Sequence, residues 1–335
     1  PGRFGQYYVF MEDLVKRLEL PDVALFSLTS ENSYAGLGKD FQLRAWNAIV
    51  TSDVMEDIRS MILANATDAE DGIRIFNEEW NLILEEIERG DFYRLEKKMV
   101  RTSERFSRIA VKRPPKEVPT ICLIGEIFVR RDSISRQYLT ERLAKSGFAT
   151  ICSPVAEWIL YSDYIMGKGL TEYKMSTMEK LAFGIKKKYM ARYEKLIKSI
   201  LSRSGLVHAE PLDVEEIIKN AEPYISSNLT GEAVLTVGGT ITEVASHACG
   251  AIAIGPFGCM QNRLSESILN TMMNREGKLA TDPANKRLRK ILANIEDLPF
   301  LAIESDGSPF PQLINAKLET FCLRAERLHK KMLDA

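Results

Sequence analysis

The chain has 335 residues, 45% of them hydrophobic, enough for a sizeable core and for roughly two domains of about 150 residues each. Its 45 basic and 46 acidic residues leave a net charge of −1, which argues against a general nucleic-acid surface or a membrane-docking patch and leaves small molecules or proteins as partners. No apolar run approaches the roughly 20 residues needed to cross a bilayer. No charged-then-apolar leader opens the sequence, and its five cysteines form no C-x-x-C pair, so the expected compartment is the reducing cytoplasm.

The sequence opens at Pro1-Gly2-Arg3 without an initiating Met, and reads as a piece of a longer protein. From Tyr7 to Leu18 apolar residues recur at helical spacing, and Pro21-Asp22 then breaks into Val23-Ala24-Leu25-Phe26, a short strand candidate. The loop that follows, Ser30 to Gly38, carries Asn32, Ser33 and Tyr34, whose side chains donate hydrogen bonds. They read either as cofactor-binding groups or as a turn and helix cap. Three helical patterns come next, Phe41–Asn65, Asp68–Glu88 and Phe92–Ala110, with charge runs that read as solvated faces.

Pro114, Pro115 and Pro119 forbid both helix interior and central strand, so the expected boundary falls there: residues 1–115 as the mostly helical remainder of a first α/β domain, residues 116–335 as a second. In the second domain five strand candidates, Thr120–Gly125, Ala149–Ser153, Ala233–Val237, Gly250–Gly255 and Pro299–Glu304, alternate with the helical patterns Ile134–Ser146, Thr242–His247 and Arg263–Glu276. The expected fold is therefore α/β, a flavodoxin-like parallel five-stranded sheet covered on both faces. A helical insertion interrupts it at about 158–229. Its Lys186-Lys187-Lys188 run reads as a solvated helix face or as a site for an anionic partner. Gln312–Leu333 closes the chain as a helix packing on the sheet.

In an open parallel sheet, the loops after the strands gather at one edge, where ligands bind. Glycines there, Gly125, Gly238, Gly239, Gly255 and Gly258, let backbone approach a cofactor closely, and Ser153 adds a donor. Glu126, Glu157 and Asp306 supply ionisable groups and are the candidate catalytic residues, and partial burial of Glu126 would raise its pKa and suit it to proton work. For Glu126 a salt bridge to Arg130 or Arg131 is the alternative. Cys259, in Gly255-Pro256-Phe257-Gly258-Cys259-Met260, sits at a glycine turn before a helix, where the partial positive charge of the helix N-terminus favours a thiolate able to ligate iron or zinc or attack an electrophile. Of the other cysteines, Cys122 and Cys249 read as core and Cys322 as a position on the final helix, while Cys152 lies at a strand end from which it approaches the site. His208 and His247 fall in no ligand pattern, and neither a Walker loop nor a G-x-G-x-x-G fingerprint is present.

Several separated stretches, Arg3-Phe4-Gly5-Gln6-Tyr7, Asn32-Ser33-Tyr34 with Gly36-Leu37-Gly38, Leu123 to Arg130, Pro154-Val155-Ala156-Glu157-Trp158 and Ile254 to Met260, together resemble the large acyl-CoA dehydratase activase-related proteins. The carboxyl-terminal region of that family is related to 2-hydroxyacyl-CoA dehydratase subunits. The resemblance implies an iron–sulfur protein in which an ATP-hydrolysing activase domain or subunit injects an electron into a [4Fe-4S]-type cluster held by three cysteines. An acyl-CoA would be the substrate of a radical dehydration or another low-potential reduction, and a dimer is compatible with it. By position Cys259 matches the carboxyl-terminal cluster cysteine. Where relatives often read Gly-Pro-Cys-Arg, this chain has Pro1-Gly2-Arg3, so the resemblance implies no complete cluster within residues 1–335. Two other functions remain open on the sequence: a docking module that kept the fold without the cluster, and a cysteine-nucleophile enzyme.

Overall fold

The computed structural model describes residues 4–25, 38–170, 175–208 and 210–335. Backbone contacts divide the chain into two units, Pro1–Ala45 and Trp46–Ala335. In the first, helix α1 (Phe4–Arg17) is braced along its surface by Lys16–Glu12 at 3.5 Å and Arg17–Asp13 at 2.8 Å, both one turn apart. The expected strand at 23–26 is not formed by Val23, Ala24 and Leu25, and Phe26 lies outside the described residues, as do Asn32, Ser33 and Tyr34.

Helix α2 (Gly38–Asn65) leads into the second unit, followed by α3 (Ala69–Arg89) and α4 (Phe92–Phe106). Their limits follow from local chemistry. Asp68 caps α3 by accepting from the Asp71 amide at 3.0 Å, Gly90 ends it in the left-handed region at φ 73°, and Asp91 caps α4 through the amides of Tyr93 and Arg94. The proline segment contains one turn of 3₁₀ helix, Pro115–Glu117, and is held against the end of α2. There the Asn65 amide donates to the Arg113 carbonyl at 2.8 Å and accepts from the Arg113 amide at 3.2 Å. The boundary expected at residues 115–116 thus falls within the second unit.

The sheet and its helices follow: β1 (Thr120–Gly125), α5 (Ile127–Arg131), α6 (Leu139–Lys145), β2 (Ala149–Cys152), α7 (Val155–Gly167), α8 (Thr177–Leu201), α9 (Val214–Ala221), α10 (Glu232–Glu243), β3 (Gly250–Pro256), α11 (Met260–Met272), α12 (Arg275–Thr281), α13 (Lys286–Ile291), β4 (Phe300–Ser305) and α14 (Gln312–Leu333). The four strands are parallel in the order β2-β1-β3-β4, with Ile121 opposite Thr150 on one side and Gly250 on the other. The sheet has four strands rather than the expected five because Ala233–Val237 lies inside α10. Every residue from Ala233 to Ile241 is buried. A segment buried on all sides carries no periodicity, so its length and caps, rather than its β-branched content, decide its conformation.

Two apolar layers meet at the sheet. One gathers β1 and β3 with α9, α10 and α14. The other gathers α2, α3, α4 and α8 around Trp46, Ile58, Met99, Phe106 and Ile197, and reaches Ala149 of β2 and Ala156 of α7. Helix α2 also covers the outer edge of β2. The Thr150 amide donates to Ser60 Oγ at 2.6 Å, the Cys152 amide to Asp57 Oδ1 at 3.1 Å, and the Val155 and Ala156 amides to Asp53 at 2.9 and 3.0 Å. Residues 53, 57 and 60 share one face of α2, so a single helix satisfies alternate strand amides and then the start of α7.

Candidate functional site

The loops beyond β1, β3 and β4 are joined by hydrogen bonds at the carboxyl edge of the sheet. The Glu126 amide donates to the Ile254 carbonyl at 2.9 Å, the Phe257 amide to the Ser305 carbonyl at 2.9 Å, and Ser305 Oγ to the Ser135 carbonyl at 2.6 Å. Gly125 ends β1 at φ +110°, and a Cβ there would overlap the Ile254 carbonyl, so this position requires glycine. Gly255 lies against the buried side chain of Asn262, whose Cγ would be 2.9 Å from an added Cβ.

Beneath this edge is a buried charge cluster. Arg130, 2% exposed, donates from Nε to the Ser153 carbonyl at 3.1 Å, from one terminal nitrogen to the Gly125 carbonyl and from the other to the Pro154 carbonyl at 3.4 Å. The same guanidinium lies 3.9 Å from Glu157 of α7 and 3.6 Å from Glu232 of α10. Glu232 accepts from the Ile127 amide at 2.8 Å, while Glu157 Oε2 has no hydrogen-bond partner. Arg131 binds the Cys152 and Ser153 carbonyls and pairs with Asp53 at 2.8 Å, and Arg136 pairs with Glu56 at 2.7 Å. Burial raises the pKa of Glu157, Glu232 and Asp57 to about 7 each, against the lowering effect of the neighbouring arginines. Burial thus favours the neutral form of these carboxyls, and the arginines tie the loops after β1 and β2 together.

The three candidate catalytic carboxyls occupy different settings. Glu157 belongs to the buried cluster. Glu126 caps α5 through the amides of Phe128 at 3.1 Å and Val129 at 2.9 Å, and Arg130 and Arg131 pair with other carboxylates. Asp306 is exposed and accepts from the Ser308 amide at 2.8 Å in a turn. Ser153 is buried at the end of β2, its carbonyl taken by both arginines.

Gly238 and Gly239 lie inside α10 and not in a loop after a strand, which corrects the expected placement. A Cβ on Gly238 would overlap the Ile217 carbonyl of α9, and one on Gly239 would stand 2.8 Å from Ile124 of β1. Both are small because α10 packs closely on either side.

Cys259 is the N-cap of α11, half-buried, with no side-chain hydrogen bond to the helix amides. Gly258 before it is left-handed at φ +70° with open space around its Cα, and its amide donates to Glu304 at 3.2 Å. Phe257 and Met260, on either side, are 74% and 76% exposed. The other cysteines are removed from such chemistry. Burial raises the pKa of Cys122 and Cys152, that of Cys249 to about 12 and that of Cys322 to about 11, so all four remain protonated thiols at neutral pH. Among the described residues no group of three or more His, Cys, Asp or Glu is placed to hold a metal ion, so Cys259 offers one ligand and not a set.

Sequence reasoning passed over Glu232, Asp53 and Asp57. A signal existed in α2, where polar residues at 53, 57 and 60 interrupt a helix that is apolar on several sides. Comparison with family models, with characterised proteins and with solved structures gives no match.

Proposed function

We propose that this chain is the carboxyl-terminal part of an activase-dependent iron–sulfur protein of the 2-hydroxyacyl-CoA dehydratase type, built on a flavodoxin-like sheet. The strand order β2-β1-β3-β4 supports the fold, being that of the flavodoxin-like arrangement short of one edge strand. The observation that carries the function is the setting of Cys259: a half-buried cysteine at the N-cap position of α11, on a glycine turn at the carboxyl edge, while Cys122, Cys152 and Cys249 are buried and Cys322 lies on α14. The described residues alone do not complete a cluster site, so the remaining ligands are to be sought outside them. In this reading an ATP-dependent activase docks at that edge and an acyl-CoA is the substrate. Anaerobic purification of the whole native gene product, with iron, sulfide and low-temperature EPR measured beside Cys259→Ser, tests it. Iron that falls sharply in the variant supports the reading, and no iron in either protein ends it.

A second reading, a docking module without a cluster, is favoured by the apolar side chains of Phe257 and Met260 that flank the thiol. Partner binding unchanged by Cys259→Ser and lost with Phe257→Ser would support it.

A further inference from the structure

Helix α8 has two apolar faces in its first half. The inward one, with Phe183 beside Gly167 and Met190 in the core, packs on the rest of the unit, and Lys186 pairs with Asp163 at 2.9 Å. The outward one carries Met178, Leu181 and Ile185, which are 76%, 62% and 63% exposed. Continuing the same three-and-four spacing along the helix gives Lys188, Arg192 and Lys195, all exposed. These six residues form one line about 26 Å long, at 1.5 Å per residue, apolar at the far end of the helix and basic towards the end anchored by Ile197, Ile200 and Leu201. None of Lys187, Lys188, Arg192 and Lys195 is in an ion pair among the described residues, whereas Lys186 and Lys198 are. From Thr177 to Lys195 there are six basic and two acidic residues, a local excess hidden by the near-zero charge of the whole chain.

Charge and shape select the occupant of this line. A second copy in parallel register would set Lys188 against Lys188, and in antiparallel register would set the apolar end against the basic end. A partner helix would want apolar residues along the whole seam, yet half of this one would desolvate charges. An anionic bilayer accommodates both halves, because apolar side chains enter the acyl boundary while lysine and arginine reach lipid phosphate. We propose that the outward face of α8 is a peripheral contact for an anionic lipid surface, a role independent of the cluster reading.

Co-sedimentation of the full chain with phosphatidylcholine vesicles, with and without about 30% phosphatidylglycerol, tests this at about 0.1 M salt, where exposed charges are only partly screened. The expected result is about a tenfold larger bound fraction on the anionic vesicles, abolished by raising salt to about 0.5 M. Leu181→Asp and the pair Lys188→Glu with Arg192→Glu should each return it to the neutral-vesicle level, with circular dichroism unchanged because these side chains are exposed. Wild-type protein that stays in solution with both vesicles overturns the proposal. So does binding to both vesicles alike, or binding by the charge-reversed pair equal to wild type. Retention on immobilised polyglutamate without vesicle binding overturns it in favour of an acidic protein partner.

Discussion

Arg130 has its guanidinium shared between three carbonyls and two carboxyls, in a place water does not reach. Removing it would orphan the carbonyls of Gly125, Ser153 and Pro154 and leave Glu157 and Glu232 without their cation. Arg130→Leu is therefore expected to destabilise by about 3–5 kcal/mol, measured by urea unfolding. Glu157 works in the opposite sense. Its pKa is raised from 4.5 to about 7, chiefly by burial, so its favourable contribution is complete below about pH 4.5 and is lost as pH rises through 7. Glu157→Gln cannot ionise. Between pH 5 and pH 8 the variant should lose less stability than wild type by on the order of 2–3 kcal/mol, and parallel curves of Tm against pH would refute the assignment. Sequence singled out Glu157 but as a group facing substrate, because a carboxylate after a strand looks the same whether its side chain points to solvent or under the loop. What separates the two is the partner, and Glu232 lies 75 residues further along the chain.

Several elements were legible, a buried strand among them. The strand at Thr120–Gly125 and the helix at Gln312–Leu333 form with the bounds that their apolar pattern predicts, α3 starts at the capping Asp68 and α4 at Phe92. Helix α10 was not, since its run Ala233-Val234-Leu235-Thr236-Val237 is β-branched and buried throughout. Its conformation is set by neighbours. Tyr161 Oη and Gln261 Oε1 accept from the amides of Gly231 and Ala233 at 3.1 Å each, and Lys278 Nζ donates to the carbonyls of Ile241 and Thr242 at its other end. Gly238 permits the contact with α9, so Gly238→Ala must push the two helices apart. It is expected to lower stability by about 2 kcal/mol or more, as overpacking does in well-filled cores. Gly258→Ala meets only its own left-handed backbone in open space and should cost about 1 kcal/mol. Thermal unfolding of the two variants side by side checks the order, and equal losses would show that α9 and α10 yield to one another.

At the scale of the whole molecule, the proline segment looks like a domain boundary because three prolines forbid regular structure, yet regular structure is not what makes a domain. The helices before it bury Trp46, Ile58, Ile62, Phe76, Met99 and Phe106 against α8 and β2, and the Trp46 indole donates to the Met190 carbonyl at 3.0 Å across 144 residues. Each such side chain contributes about 1.5–3 kcal/mol when fully buried. Cutting at residue 116 would expose the core face of α8, remove the acceptors Ser60 and Asp57 from the edge of β2, and leave Arg131 and Arg136 buried without Asp53 and Glu56. An open strand edge beside exposed apolar surface is a template for aggregation. Residues 46–335 are therefore expected to be monodisperse and to unfold in one cooperative transition, whereas residues 116–335 should be insoluble or molten, with exposed apolar surface that binds a reporter dye. Gel filtration and near-ultraviolet circular dichroism distinguish the two. A cooperative, monodisperse 116–335 fragment would mean that the sheet carries its own stability and that α2, α3 and α4 are an appended layer.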